Sequence, residues 1–383
     1  MFYNEFGSFQ KAVLNTAFSG TLNNLFFDTF NLKTSRNTSV NGKLKFKNLF
    51  NSTVNSFEMD ADFKSISSTY TDLKAVLPRV LGASISSSFE ALGRFDIQGT
   101  AKVSKQTIET VMDIETELGA FFVDLNLDQI ESLDNALYVG QVQFTDFDMG
   151  RFIKEPKMGL ISSNLNVEGR GFNKETINSN IKGKFDSFTF QNYIYSDLEV
   201  SGVVKNKIFN GQLNITDPNL EFSFEGLVDF SENENIYDFS ATIPHANLNA
   251  LNFVKRDRIS VLNGQVIMDM RGTSIDDVYG TIKFKNTLYQ NQNDSYNFKD
   301  FEITSSFDAS SERTIRVNSP EIVQGNLKGK FAIKEVPNLL RNAFGDIYTK
   351  YKPYQVNDSQ YFNFNFTIFN HYSTFLYICY FRT

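Results

Sequence analysis

The chain has few of the residues on which most protein chemistry depends. Its 383 residues include one cysteine, two histidines and no tryptophan. One thiol cannot build an internal disulfide framework, and so few histidines leave little material for a zinc site or a Cys–His dyad. These shortages disfavour most enzyme chemistry. We therefore expect a non-enzymatic protein with no cofactor and no metal.

Positive charge and long apolar runs are also scarce. Lys and Arg number 37 against 44 Asp and Glu, so the formal net charge is −7. This balance offers no electrostatic footprint for nucleic acid, which we exclude as a partner. No apolar run reaches the roughly 18 residues of a membrane-spanning helix. The first residues, Met1 to Glu5, lack the basic and apolar regions of a signal peptide.

What the sequence does contain is a strict period-two alternation of apolar and polar residues. Phe57, Met59 and Phe63 alternate with charged residues, and 40 Phe against only seven Pro favour strands. The alternation predicts about 18 strands, several of them longer than the usual 5–6 residues. Sixteen of them lie near 57–64, 95–103, 108–118, 121–127, 138–144, 161–169, 177–185, 195–204, 209–215, 220–230, 237–243, 262–272, 278–284, 301–307, 323–334 and 362–368.

Four short breaks interrupt the alternation, and each opens with Asp or Asn followed by apolar residues at helical spacing. Asp and Asn are good N-caps, so these breaks predict short helices after a strand. Ser86 to Leu92 extends the first break. The breaks, which indicate a degenerate repeat of strands and one short helix, are Asp72–Pro78, Asp148–Ile153, Asn247–Leu251 and Asn338–Arg341.

Many predicted strands carry a glycine at an apolar position, among them Gly99, Gly226 and Gly280. Repeated glycines inside strands are typical of bends or bulges that curl a long sheet. The alternative is that each glycine ends a strand at a turn. We predict an all-β fold: an elongated curled sheet of the β-groove type, built as a repeat with a few short helical inserts.

An open sheet with one apolar face cannot leave that face in water, and the few predicted helices are too short to cover it. Stacking about 18 strands at 4.8 Å gives a trough roughly 85 Å long, which suits acyl chains. The predicted lining of this trough is Phe57, Met59, Phe63, Ile97, Val142, Leu165, Val167, Phe222, Phe224, Val228, Val266, Met268, Met270, Ile282, Phe284, Leu327, Phe331 and Ile333.

The pattern resembles the AsmA-like family, most closely its TamB translocation-and-assembly members from Bacteroidota. The likeness covers roughly residues 40–370 and is carried by loose phrases rather than by catalytic signatures. These phrases are Asp72–Pro78, Tyr138–Val142 leading into Phe147–Gly150, Val167–Phe172, Phe209–Leu220 followed by Phe224–Gly226, and Ile243–Leu251.

The resemblance implies a periplasmic β-groove, anchored in the inner membrane in the full-length protein, that moves phospholipid to the outer membrane and supports outer-membrane biogenesis. It also implies docking to an Omp85-type outer-membrane barrel. The expected partners are therefore phospholipid acyl chains and such a barrel. We expect neither the family's N-terminal anchor nor its usual C-terminal domain in this chain.

Two other classes of protein remain open. An outer-membrane β-barrel also alternates over segments of about ten residues, although recurring helical breaks and missing aromatic girdles disfavour it. An extracellular glycan-binding β-solenoid would need an exposed aromatic platform. The sequence instead has apolar residues at every second position of each strand.

The predicted organisation has three parts. Residues 1–39 form an irregular or partial first repeat, and 40–370 form the repetitive β-groove. Residues 371–383, which break the alternation, are expected to be a truncated or aberrant end, with a buried last strand as the alternative.

Overall fold

The computed structural model describes residues 11–49, 57–76, 87–132, 134–172, 175–345, 352–355, 359–370 and 373–381. Strands dominate these residues and every pairing between them is antiparallel, with only short helices inserted. The predicted all-β fold with a few helical inserts is confirmed. None of the described helices has the length and hydropathy that a membrane-spanning helix requires.

The chain divides into two compact units, residues 1–207 with 215–217 and residues 208–214 with 218–383. In unit 1, each strand pairs with the next one along the chain, which makes a meander. Its strands are β1 (Ala12–Thr21), β2 (Asn24–Thr34), β3 (Ser39–Lys47), β4 (Glu58–Thr69), β5 (Arg94–Ser104), β6 (Thr107–Thr116), β7 (Gly119–Asp128), β8 (Leu137–Asp148), β9 (Met158–Arg170), β10 (Asn178–Phe190) and β11 (Tyr193–Lys205).

Strand β12 (Ile208–Asp217) contributes residues to both units. From β13 onward unit 2 repeats the same next-neighbour antiparallel pairing. Its strands are β13 (Leu220–Asp229), β14 (Ile236–Asn247), β15 (Ser260–Arg271), β16 (Tyr279–Asn291), β17 (Ser295–Phe307), β18 (Arg313–Ser319), β19 (Val323–Lys330), β20 (Tyr361–Asn370) and β21 (Ser373–Phe381).

Among the described residues, three α-helices and two 3₁₀ helices interrupt the strands, and they lie at three of the four predicted breaks. The first break holds α1 and, after residues outside the described part, a 3₁₀ helix. The helices are α1 (Tyr70–Val76), α2 (Met149–Ile153), α3 (Val336–Gly345) and the 3₁₀ helices Ser87–Leu92 and Ile333–Glu335.

The predicted Asx cap is confirmed at α2, where the Arg151 amide donates to Asp148 Oδ1 at 2.9 Å. At α1 the cap differs from the prediction. The helix starts two residues before Asp72, and the Asp72 amide donates instead to Thr69 Oγ1 at 3.1 Å. Thr69, the last residue of β4, is therefore the side chain that caps the start of α1.

The predicted helix at Asn247–Leu251 is wrong, because this segment forms turns rather than a helix. The Ala250 amide does donate to Asn247 Oδ1, as a cap would require. The chain then folds back, since the amides of Phe253 and Val254 both donate to the Leu248 carbonyl. The Asn249 side chain also donates to the carbonyls of Val254 and Asp257, so it competes with helix continuation.

The chain ends carry more regular structure than the sequence indicates. Residues 1–39, expected to be irregular or a partial repeat, contain the β1–β2 hairpin and the start of β3, while residues 1–10 lie outside the described part. The expected aberrant end, 371–383, contains β21, whose backbone pairs with β20. Residues 371, 372, 382 and 383 lie outside the described residues.

Gly99 shows why glycine recurs inside these strands. Its φ is +141°, a conformation that other residues rarely adopt. A β-carbon at this position would also lie 2.1 Å from the Val111 carbonyl oxygen on the neighbouring strand β6. The close approach of β5 to β6 therefore requires the missing side chain.

We expect Gly99→Ala to lower the free energy of unfolding by about 1–3 kcal/mol, because alanine is strained at this φ and collides with β6. Urea denaturation followed by circular dichroism measures the change. Thr100→Ala, on an exposed neighbour in the same strand, is the control and should shift stability by no more than about 0.5 kcal/mol. Equal unfolding midpoints for the two variants would contradict this role of Gly99.

Candidate functional site: an apolar sheet face

One side of the unit 1 sheet, called here the apolar face of unit 1, is apolar from its first strand to its last. The registers place one residue of each strand in a single cross-strand row, and that row contains no charged residue. The row, which defines this face, is Phe18, Phe27, Leu44, Ala61, Ala101, Thr110, Leu125, Gly140, Val167, Ile181 and Gly202.

The structure places the predicted lining residues of unit 1 on this face. Phe57 precedes β4, and its ring centroid lies 6.4 Å from that of Phe46 on the apolar face. The remaining six belong to strands, and the registers put all of their side chains on the same side: Met59, Phe63, Ile97, Val142, Leu165 and Val167.

Irregularities in the strands preserve this face instead of interrupting it. The register of β4 against β5 shifts between Phe63 and Ile66, so both side chains lie on the apolar face although they are three residues apart. A similar shift between Phe144 and Phe147 keeps both rings of β8 on that face. A β-bulge inserts one residue and thereby reverses the parity of the strand beyond it. Strict alternation misses Ile66 and Phe147 for this reason.

The middle of the face is covered only by its own side chains within the described part of the chain. Leu44, Ala61 and Ala101 are buried there. The residues packed around them are all strand residues of β2 to β6, and none comes from a helix: Phe27, Phe30, Phe46, Met59, Phe63, Val103 and Met112. These surrounding side chains are half-buried, so apolar surface stays open to a second apolar body.

Helices cover the face at one end of strands β8 and β9. Phe147 is 1% exposed and packs with Ile161, Leu118 and Leu92 of the 3₁₀ helix. Its ring meets that of Phe152 in α2 edge-to-face, with centroids 5.6 Å apart. The short helices therefore bury the end of the apolar face and leave its middle strands uncovered.

Unit 2 has an apolar face built in the same way. Its defining row, again without a charged residue, is Gly226, Phe239, Met268, Ile282, Ile303, Val317, Gly325 and Phe366. The registers put eight predicted lining residues on this side: Phe224, Val228, Val266, Met268, Met270, Ile282, Phe284 and Leu327.

The other three predicted residues of unit 2 lie at its margins. Phe331 is 9% exposed and packs with Leu339 of α3 and Phe362 of β20, and Ile333 joins the same cluster. Phe222 is half-buried at a register shift between Glu221 and Ser223, so no direct cross-strand partner opposes it. As in unit 1, a helix buries one end of the apolar face.

The opposite, polar face carries charges of both signs in matched positions. Lys45 opposes Asp60, Asp60 opposes Lys102, and Lys102 Nζ lies 3.5 Å from Glu109 Oε2. Exposed pairs of this kind contribute little stability, so their effect is to keep the face hydrated and the register defined. A hollow of about 590 Å³ in unit 1 is lined mainly by this face, including Lys43 and Asp124.

Arg313 is the exception to the apolar character of the unit 2 face. It occupies an apolar-face position of β18 and is only 3% exposed. Its guanidinium donates to the carbonyls of Ile275, Asp276 and Val278 and to Ser305 Oγ. Burial lowers the pKa of this guanidinium. Because Arg313 is a cation at a position where the alternation requires an apolar residue, the alternation does not reveal β18 (Arg313–Ser319).

Two tyrosines on the apolar face of unit 1, Tyr195 and Tyr138, are almost fully buried. Burial, together with the nearby Tyr193 and Asp217, raises the pKa of Tyr195 to about 12. Burial also raises the pKa of Tyr138, although a hydrogen bond with Ser179 partly lowers it. Asp217 in turn accepts hydrogen bonds from the Tyr193 hydroxyl and from the amide and hydroxyl of Ser196, which anchor the end of β11.

The residues that the structure describes contain no group of three or more His, Cys, Asp or Glu placed to hold a metal ion. His245 lies on β14 opposite Glu221, on the polar side of the strand. Comparisons of the chain with protein-family models, with curated proteins and with solved structures return no match.

Tyr195 allows a test of the water-poor environment. A tyrosine whose pKa rises from about 10 to about 12 on folding keeps its full contribution to stability below pH 10. That contribution is lost as the pH rises through 12, because only the unfolded chain ionises readily. We expect Tyr195→Phe to lose less stability than the wild type between pH 10 and pH 12, measured by urea unfolding midpoints.

Tyr296 supplies the matched control, since half of its surface is exposed. Tyr296→Phe should follow the wild-type dependence on pH. If Tyr195→Phe and the wild type lose stability in parallel over this pH range, the apolar face does not exclude water at Tyr195.

Proposed function

We propose that this chain is a non-enzymatic lipid conduit or scaffold whose apolar face holds phospholipid acyl chains. In this proposal it works in the periplasm, between the inner and outer membranes, in support of outer-membrane biogenesis. The single observation that carries the proposal is the uncharged row across eleven consecutive strands of unit 1. In its middle the surrounding apolar side chains are half-buried, and no other described part of the chain covers them.

Acyl chains fit this surface for energetic reasons. Their burial gains about 0.8 kcal/mol per CH₂ and needs no directional partner. A face built from Phe, Leu, Met, Ile and Val, with few polar groups, supplies that burial without fixing the position of the lipid. The polar face on the other side of the sheet is hydrated, so the sheet can present one face to water and the other to lipid.

Within the described residues no protein layer covers the middle of the face, which supports an external apolar ligand. A core residue in a two-layer domain is fully buried, whereas Met59, Phe63 and Met268 are half-buried on their faces. Half-buried apolar side chains in a continuous row leave surface that a ligand can remove from water. The periplasmic location, the two membranes and docking to an Omp85-type barrel enter the proposal through the AsmA-like resemblance alone.

A matched pair of substitutions on neighbouring strands tests the proposal. Ile181 is half-buried on the apolar face of β10, between Val167 and Gly202. Ile194, on β11, alternates with the apolar-face residues Tyr193 and Tyr195 and is 64% exposed on the other side. Ile181→Asp places a carboxylate where acyl chains would lie, and Ile194→Asp places the same carboxylate in water.

We expect Ile181→Asp to reduce phospholipid co-purification and transfer between vesicles at least tenfold, because an acyl chain would bury the carboxylate unpaired. Ile194→Asp should behave as the wild type. Lipid mass spectrometry and a fluorescent-phospholipid transfer assay provide the readout, with circular dichroism as the folding control. Equal lipid binding by two folded variants would show that the apolar face is only a packing surface, and the conduit proposal would fail.

A further inference from the structure

The connection between β14 and β15 exposes apolar and cationic side chains next to one another. Its exposed stretch, residues 253–259, is called here the cationic loop. Phe253 and Ile259, at its two ends, are 51% and 46% exposed. The three cations between them, all exposed, are Lys255, Arg256 and Arg258. This concentration of positive charge contrasts with the net charge of −7 of the whole chain.

Hydrogen bonds hold the cationic loop in a defined shape. Asp257, in its middle, is only 4% exposed. The Asp257 carboxylate accepts hydrogen bonds from the side chains of Arg256, Tyr289 and Gln292. The side-chain amide of Asn249 donates to the Asp257 carbonyl at 2.8 Å. Because the loop is already tied to the strands behind it, its backbone needs no further ordering when a partner binds.

The one carboxylate of the cationic loop does not cancel its charge. Asp257 is paired with Arg256, whose Nη2 lies 2.8 Å from Asp257 Oδ2. Among the residues that the structure describes, Lys255 and Arg258 take part in no ion pair. The adjoining turn between β16 and β17 adds one exposed carboxylate, Asp294, so the cations stay in excess. The loop therefore offers positive charge to an anionic partner.

We propose that the cationic loop docks on the surface of an anionic phospholipid membrane. Lys255 and Arg258 lie at the level of the headgroup phosphates, where cationic side chains are attracted to anionic lipid. Phe253 and Ile259 enter the boundary between the headgroups and the acyl chains, where their exposed apolar surface leaves water. This contact goes beyond the proposed conduit, because the loop lies outside the rows that define the two apolar faces.

Two features favour a membrane over other anionic partners. A nucleic acid or a free phosphate requires cations but no exposed apolar side chains, whereas the cations of this loop lie between two of them. A tyrosine at the start of β17, Tyr296, is 50% exposed, and its ring stacks on that of Tyr289 with centroids 6.4 Å apart. Tyr289 donates in turn to Asp257 of the loop. Exposed tyrosines beside cations and apolar side chains are typical of surfaces at the membrane–water interface.

Co-sedimentation of the full chain with vesicles tests the proposal. Phosphatidylcholine vesicles with about 30 mol% phosphatidylglycerol should bind the chain roughly tenfold more tightly than pure phosphatidylcholine vesicles, and salt should weaken this binding. The double substitution Lys255→Gln with Arg258→Gln should weaken binding to the anionic vesicles roughly tenfold, because two charges at the headgroups are lost. Its matched control is Arg271→Gln with Lys330→Gln, which removes two exposed cations at the ends of β15 and β19. The control should bind as the wild type does.

Ile259→Ser distinguishes membrane docking from the binding of anions in general. It should weaken vesicle binding roughly threefold or more, because the apolar side chain no longer leaves water on the membrane. Ile275→Ser, at a residue that is 53% exposed in another connection, should have no effect. If the double substitution weakens binding but Ile259→Ser does not, the loop binds anions without entering a membrane, and the proposal fails.

Equal binding of the chain to anionic and neutral vesicles would also overturn the proposal, and circular dichroism checks that every variant is folded. Ile181→Asp, which is expected to lose phospholipid transfer, should bind the anionic vesicles as the wild type does. The docking proposal and the conduit proposal can therefore fail separately.

Discussion

The structure depends on one constraint: antiparallel registers must keep every apolar side chain on the same side of the sheet. A slip of one residue would move the whole apolar set of a strand into water. The row from Phe18 to Gly202 shows that ten successive registers satisfy this constraint in unit 1. The matched charges of the polar face, such as Lys45 opposite Asp60, favour the same registers. Both faces therefore specify one alignment.

A single layer that meets this constraint has limited ways to bury its apolar face. The short helices cover only strand ends, as α2 does around Phe147 and α3 does around Phe331. Elsewhere the side chains cover one another across strands, as around Ala61, and remain half-buried. The resulting face leaves apolar area in contact with water, and the lipid proposal rests on this area.

The strands and their apolar sides could be predicted wherever the local alternation of the sequence matches the folded strand. Alternation located most strands, and of the eighteen predicted lining residues only Phe57, Phe222, Phe331 and Ile333 lie outside the regular cross-strand registers. Failures have specific causes. Arg313 can occupy an apolar-face position because its guanidinium bonds to backbone carbonyls of Ile275 and Val278, and this cation hid β18 from the alternation. The Asn249 side chain closes a turn where a helix was predicted, and β-bulges hid Ile66 and Phe147.

The sequence by itself determined that the chain is all-β and that each strand has one apolar and one polar side. Period-two alternation is a local property, and it reports on each strand without knowledge of its neighbours. Only the tertiary structure decided which residues oppose one another, where Gly99 lets β5 approach β6, and where the register shifts, as between Phe63 and Ile66. Registers, bulges and edges are relations between strands distant in sequence. They follow from hydrogen bonds across the sheet, which no local pattern encodes.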